Sequence, residues 1–581
     1  MSKNLSLCIT LLVLGLSLAL ASSRSMHDRV DSDVALKPSP ASPAGINGSG
    51  PSGGPSSDAG IFQANGPYRV RLSEVQTGFV PNLNVVAPPA DMPISDAEAE
   101  LLRQKAMLMP PDSDIQIATS APASLAPTLG VSFLGLDAED SNTGGGVSTP
   151  PDPELGVGKD YVIPVVNVSF KIYDKTGAVV QNTTTFASFM SANSDCAGVF
   201  DPNVAYDEAE DRYILGIDAN ASHYCIAVSA NPGDVDNWNL YSIPTLQGCG
   251  TFFDYPHIGV GPDFIVMGSN QFAGSFCEGR VWAMDKAAMY AGNAMSFATK
   301  STGSDGTGMP ANYHGDDITA AAPEAAASHW FMTETFDGCT HNVWTWTDPL
   351  SGSTPSKGAN LNLCTASGVS AGFPVNWPQQ GGNSIQANDW RGQSSELNNG
   401  IITMTNQTIS CNPGSGTVDC VRWAQINPAT NTIVDAGVLA SNGEYRTFAN
   451  AVSNSCGDMA VGYSKGSSST FPSTYVAGRQ STDPAGTLQA ETLLKAGEGT
   501  FTCFDGSPYR WGDYTGMTID PDGATFWYLG QYSKPGAHAV CDWSTYIGSF
   551  TFDSCLPAEV MLSDGFESGD TTSWSGTVGG A

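Results

Sequence analysis

The sequence predicts an all-β fold, a β-propeller of about seven blades. Three observations predict it. One unit recurs along most of the chain between Pro150 and Phe552: a polar, usually acidic entry to a run of small apolar residues, an apolar strand, and then an aromatic-rich strand. Self-similarity of this kind in strand-forming segments is the signature of radially repeated sheets. Gly 64, Pro 37 and 9% aromatic residues suit many short strands joined by turns. Only 14% of residues are charged, which excludes a coiled coil or a charged disordered chain.

The units follow in order. The first opens at Pro150-Pro-Asp-Pro-Glu154, continues through Tyr161–Val166 and Phe170–Asp174, and turns at Lys175-Thr-Gly177. The second opens at Asp201-Pro-Asn-Val-Ala-Tyr-Asp207, with Arg212–Ile217 and Tyr224–Ser229 behind it. The third opens at Asp254-Tyr-Pro-His257, with Phe264–Gly268 and Arg280–Met284. The fourth is expected to open at His314-Gly-Asp-Asp317, with Trp330–Thr333 and Val343–Trp346. The fifth opens near Asp389-Trp-Arg391, the sixth at Tyr445-Arg446 and the seventh at Tyr509-Arg-Trp-Gly-Asp513. A four-stranded blade needs ~40–50 residues, so the longer intervals leave room for surface loops.

The flanks read differently. Residues 1–21 have the pattern of a secretory signal: Lys3, an apolar run from Leu5 to Leu18, and Ala19-Leu20-Ala21 as a cleavage site. Residues 22–60 are rich in Ser, Pro, Gly and Asp and are expected to be a flexible tether. Residues 61–125 hold one strand-like run, Tyr68–Leu72, and one helix opening at Ser95, where Glu98 completes a capping box. This mostly disordered segment is either a docking arm or a removable pro-region. The propeller occupies 126–555, and 556–581 form a short tail.

Lys+Arg 24 against Asp+Glu 57 gives a net charge of −33. Such a surface repels nucleic acid and anionic lipid. No second apolar stretch is long enough to span a bilayer after signal removal, and a monomer is expected. Of 13 cysteines, Cys8 leaves with the signal. An even remainder in an exported chain implies disulfides. Nearest neighbours suggest Cys196–Cys225, Cys249–Cys277, Cys339–Cys364 and Cys411–Cys420; the pairing of Cys456, Cys503, Cys541 and Cys555 stays open.

In a propeller the innermost strands converge on a central channel, so entry residues of different blades meet. Three readings of them compete. The repeated Asp pins turns and pairs with neighbouring Arg. Alternatively, channel carboxylates, or Asp316 with Asp317, bind a structural Ca²⁺ through hard oxygen ligands. Or Arg391, Arg446 and Arg510, which open three successive blades, clamp an anionic sugar, with Asp254, His257, Asp513 and Tyr514 (or Tyr509) around it. Trp344, Trp346 and Trp377 either stack on sugar rings or pack between blades, and their spacing favours packing.

Pro150–Gly158, Asp201–Asp207 with Arg212-Tyr213, and Arg510–Met517 resemble secreted bacterial sialidase-like (BNR-like) β-propeller proteins. Asp564-Gly-Phe-Glu-Ser-Gly-Asp570 similarly resembles a short ending of many exported bacterial proteins. The resemblance implies a propeller in the cell envelope or outside the cell. It departs from true sialidases: Thr518–Phe526 carries one residue too many for an Asp-box, and no ordered set of three arginines, tyrosine and acid can be matched. The leading expectation is a binding or interaction protein that recognises glycan or protein through one propeller face. The alternative is a sialidase-like glycoside hydrolase acting on anionic sugars.

Overall fold

The computed structural model of the chain describes residues 60–75, 77, 126–142, 147–319 and 328–555. The chain divides into two units, Met1–Gly54 and Pro55–Ala581, and all described residues lie in the second. The helix expected near Ser95 and the tail lie outside the described residues.

The described residues form seven antiparallel sheets in a ring, a seven-bladed β-propeller. The inner strands, in chain order, are Glu154–Val157, Val199–Asp207, Phe252–Val260, Gly306–Pro310, Gly392–Asn398, Tyr445–Ser453 and Gly516–Ile519. We number the blades 1 to 7 accordingly. Each inner strand is followed outward by apolar second and third strands; in blade 3, for example, Phe264–Phe272 is buried along its whole length. Blades press face to face closely enough to require small residues at some crossings. A Cβ on Gly268 of blade 3 would stand 2.3 Å from the Gly308 carbonyl of blade 4.

The ring closes non-covalently. Thr128–Asp137 adds the outermost strand to blade 7, pairing with Cys541–Thr551 near the other end of the propeller. Closure of this kind removes the open sheet edge that a linear array would leave. Upstream, Asn65–Arg71 lies on the outer edge of blade 2 and Ile61–Gln63 on that of blade 3.

The fourth blade opens earlier than expected. Its inner strand is Gly306–Pro310, and Asn312-Tyr313 crosses to pair in parallel with blade 5. His314 and the helical turn Asp316–Thr319 therefore follow an inner strand instead of preceding one. Gly306-Thr307-Gly308 carries no acidic entry residue, so the signal that marks other blades is missing there.

Six disulfides staple the structure. Four are the neighbour pairs Cys196–Cys225, Cys249–Cys277, Cys339–Cys364 and Cys411–Cys420. The others are Cys456–Cys555, joining blade 6 to the end of blade 7, and Cys503–Cys541. Trp344, Trp346 and Trp377 are buried; Trp344 stacks on Phe331 and Trp377 packs edge-on against Trp511.

Candidate functional site

Each inner strand contributes to the channel at two levels. At the upper level sit Asp152, Asp201, Tyr255, Thr307 and Phe448, one each from blades 1, 2, 3, 4 and 6. All five have left-handed backbone, with φ between 48° and 59°. Gln393 and Asp513 occupy the corresponding places in blades 5 and 7, where the backbone is not left-handed. Two residues further on lies the lower level: Glu154, Asn203, His257, Met309, Ser395, Asn450 and Thr515. Six of these pair with the second strand at equivalent positions: Val165, Gly216, Gly268, Met332, Met404 and Gly462.

The upper level forms the entry mouth and is closed upon itself. Arg510 donates from one nitrogen to both carboxylate oxygens of Asp513, each at 2.9 Å. Asn388 also bonds Asp513, and the Asp513 amide donates to Asp152 at 2.8 Å. Arg391 pairs with Asp389 at 3.0 Å, and its guanidinium lies 4.0 Å over the Tyr255 ring. Tyr255 and Tyr514 stack at 4.9 Å, and both are buried. The Tyr514 hydroxyl reaches Asp201 at 3.0 Å, and that of Tyr255 reaches the Gly392 carbonyl at 3.2 Å. One tyrosine thus bridges blade 7 to blade 2 and the other blade 3 to blade 5, and the stacked pair plugs the channel.

Electrostatics follows from this crowding. Burial, reinforced by neighbouring carboxylates, raises Asp152, Asp201 and Asp218 well above the usual range. Asp254 is pushed up to about 6 by burial, with Asp513 adding to the effect and Arg391 and Arg510 opposing it. For Asp513 burial works in the same upward direction, but Arg510 and Arg391 outweigh it and hold the group below its ordinary value. Asp218 joins this cluster from a second strand, and no entry motif announces it.

Arg446 does not join Arg391 and Arg510. It makes a bidentate pair with Glu491 at 2.7 and 2.8 Å and a further bond to Glu444 at 2.9 Å, all within blade 6. Each arginine of the expected clamp is thus already paired with a carboxylate. Asp317 accepts from the Gly400 amide at 2.8 Å, and Asp316 is exposed. Among the described residues no group of three His, Cys, Asp or Glu is arranged to hold a metal.

Below the plug the channel holds a well of about 50 Å³. Its lining includes Glu154, His257, Met309, Ser395, Asn450 and Thr515 of the lower level, with Gln393 above them and Glu396 nearer the ends of the inner strands. Asp152, Asp201, Asp254 and Asp513 are not part of this wall. Three of its lining residues carry a buried polar atom without a hydrogen-bond partner: His257 Nε2, Gln393 Nε2 and Ser395 Oγ. Their residues are 5%, 2% and 2% exposed. Burial, helped by the charge of Arg391, pushes His257 down to about 3, so its ring is neutral.

Two carboxyl groups complete the well. Glu154 accepts from Asn203 at 3.2 Å and from the Val204 amide at 3.1 Å. Burial raises it to about 8, with a contribution from Glu396 across the channel. Glu396 is bonded to His314 Nε2 at 2.7 Å, and His314 Nδ1 bonds Glu208 at 2.7 Å. Burial alone would depress His314, but these two carboxylates outweigh it and raise the ring to about 10. An imidazolium therefore ties blade 2 to blade 5 at the well's rim. Of the residues expected at a site, only His257 lines the well. Glu154 and its lower-level partners were marked in the sequence by a repeated tripeptide, Asp152-Pro-Glu154, Asp201-Pro-Asn203 and Tyr255-Pro-His257, whose third member enters this level.

No protein-family model matches the chain, and no curated protein matches it in sequence. Solved structures resemble its fold. The polysaccharide lyase Uly1 is 9% identical, with 73% of this chain and all of that chain covered and a TM-score of 0.36. An α-L-arabinofuranosidase of Fusarium graminearum in complex with arabinobiose is 9% identical over 72% of this chain and 98% of its own, with a TM-score of 0.33. The Dos1 propeller is 8% identical over 73% and 95%, with a TM-score of 0.32. At these values the likeness concerns the architecture alone.

Proposed function

We propose that this protein is an exported propeller that binds carbohydrate in the well of its central channel. The observation that carries the reading is the set of three buried, unpartnered polar atoms on His257, Gln393 and Ser395. A polar group left unpaired in the interior costs about 1–3 kcal/mol, so a ligand that satisfies all three binds with a corresponding advantage. Sugar hydroxyls both donate and accept, which matches an amide donor, a hydroxyl and a neutral imidazole. The sugar is neutral in this reading. The expected arginine clamp for an anionic sugar has its charges already paired, and Glu396, which shares the single His314 cation with Glu208, disfavours an anion. Six disulfides suit an oxidising compartment. Among the described residues no helix is long and apolar enough to cross a membrane. With the sialidase-like motifs and the tail resemblance, this supports a bacterial envelope or extracellular setting.

Calorimetry with neutral oligosaccharides tests the proposal. Ser395→Val should weaken binding at least tenfold and leave the melting temperature unchanged. Absence of binding by the unaltered protein, or equal binding by the variant, would overturn it.

A second reading is glycoside hydrolysis, favoured by the contrast between Glu154, raised to about 8 by burial, and Glu396, engaged by the His314 imidazolium. Carboxyl groups set apart in this way are the acid and base of glycosidases. Glu154 would protonate the glycosidic oxygen as its bond to the anomeric carbon breaks. Glu396 would take a proton from the attacking water. Release of reducing sugar by the unaltered protein, lost in Glu154→Gln with binding retained, is the expected result; no release by the unaltered protein rejects this reading and leaves binding standing.

A further inference from the structure

The well is walled all round and covered at its upper end. Its wall is built from the inner strands of all seven blades: Glu154, Val204, His257, Met309, Ser395, Asn450 and Met517 come from blades 1 to 7 in turn. A groove that accepts the middle of a polymer must let the chain in at one side and out at another. A wall with a strand from every blade leaves no lateral exit. The upper end offers none either, because Tyr255 and Tyr514 cross the channel in a stack and Arg391 lies on Tyr255. The hydroxyls that hold the stack are bonded to Asp201 and to the Gly392 carbonyl, so the plug is anchored on blades 2 and 5.

Size points the same way. A cavity of about 50 Å³ has room for about four waters, at roughly 10–15 Å³ each. That suffices for one hydroxylated group or part of one sugar ring, and not for two linked residues side by side. The unpartnered atoms of His257, Gln393 and Ser395 lie at or next to the lower level, where the tip of such a group would arrive.

We infer that the well receives the end of a sugar chain and excludes chain interiors. This rests on the carbohydrate reading above and makes it narrower. Specificity then depends on what the terminal residue presents, because only that residue meets His257, Gln393 and Ser395.

The test uses the full chain and linear hexaoses of glucose, xylose and mannose. Each is offered free, with its reducing end coupled to a bulky dye, and with its non-reducing residue capped by a bulky blocking group. For any hexaose that binds, one of the two caps should weaken binding at least tenfold while the other is tolerated. The sensitive cap identifies the end that enters. Equal binding of free and both capped forms would overturn the inference and leave carbohydrate binding intact. Failure of all the free hexaoses to bind would overturn both together. For a bound hexaose, Ser395→Val should weaken the free form at least tenfold; unchanged affinity would place the binding outside the well and overturn the inference.

Discussion

The entry mouth and the well share the same seven strands and lie two residues apart, yet they are organised in opposite ways. At the mouth the charged groups are paired with one another, although Arg510 Nε and Asp218 Oδ2 have no hydrogen-bond partner. Arg510 holds Asp513, Arg391 holds Asp389, and Tyr514 holds Asp201. In the well, buried polar atoms on Ser395 and His257 have none, and neither does the amide nitrogen of Gln393 where the two levels meet. Paired charges therefore mark the mouth, and uncharged polar atoms without a partner mark the well. The second criterion identifies binding more directly, because charges already paired with one another gain little from a ligand. If this contrast is right, changes at the mouth should alter stability, and changes in the well should alter binding.

The largest effect is expected at the mouth. Arg391→Ala removes one member of a buried pair and the cation lying over Tyr255. Breaking such a pair costs about 3–5 kcal/mol, which urea unfolding would register as a lower midpoint. Gln393→Leu, two residues further along the chain, should leave that midpoint within about 0.5 kcal/mol, since it removes an unsatisfied buried amide nitrogen and only a long 3.4 Å contact of the amide oxygen with the Tyr255 hydroxyl. Equal destabilisation by the two would erase the distinction between mouth and well.

Next comes the rim of the well. His314 has its pKa raised from about 6.5 unfolded to about 10 folded. The folded state therefore holds an extra proton between these values, and stability falls as pH rises through that window, by up to about 1.4 kcal/mol per unit. The contribution is fully present below pH 6.5 and lost above pH 10. His314→Gln should lower stability by about 3 kcal/mol at pH 6, since it leaves Glu208 and Glu396 without their cation. It should also flatten the decline between pH 7 and 10. A variant with the parental slope would show that this proton is not carried by His314.

These two contrasts show what could be read in advance. The architecture was legible because each blade repeats a polar entry, an apolar strand and an aromatic strand. Four disulfides were legible because each closes within or beside one blade. Cys456–Cys555 was not, since it closes 99 residues and joins elements that only the ring brings together. The arginines were visible as departures from an acidic pattern, but their partners were not. Arg391 and Arg446 stand at equivalent places before Gln393 and Phe448. One lies over Tyr255 of a distant blade, and the other finds Glu491 on its own. Nothing local distinguishes them, because the choice depends on what stands opposite in space. His314 was read as a blade entry for the same reason: its partners Glu208 and Glu396 belong to blades 2 and 5.

Glu154 offers a smaller and cleaner effect within the well. Its carboxyl has a folded pKa of about 8 against an ordinary value of 4.5. The folded state binds the extra proton between these values, so stability is highest below pH 4.5 and declines as pH rises toward 8. Glu154→Gln keeps an acceptor for Asn203 or Val204 and cannot ionise. It should be more stable than the parent at pH 8 by about 1–3 kcal/mol, allowing for screening of a partly exposed group, and equal to it at pH 4.5. Thermal melts at both pH values measure this, and a constant difference between the two proteins would show that the carboxyl is not held protonated.

Tyr514→Phe probes the boundary between the two regions and should have the least effect. It deletes the hydroxyl bonded to Asp201 at 3.0 Å but keeps the ring stacked on Tyr255. Burial already favours the protonated form of Asp201, which can donate elsewhere, so the loss should be about 1 kcal/mol. The aromatic stack keeps the channel plugged, and affinity in the well should stay unchanged. A change in ligand affinity would mean that the mouth and the well communicate through this tyrosine, and the division of labour between them would fail at the residue that separates them.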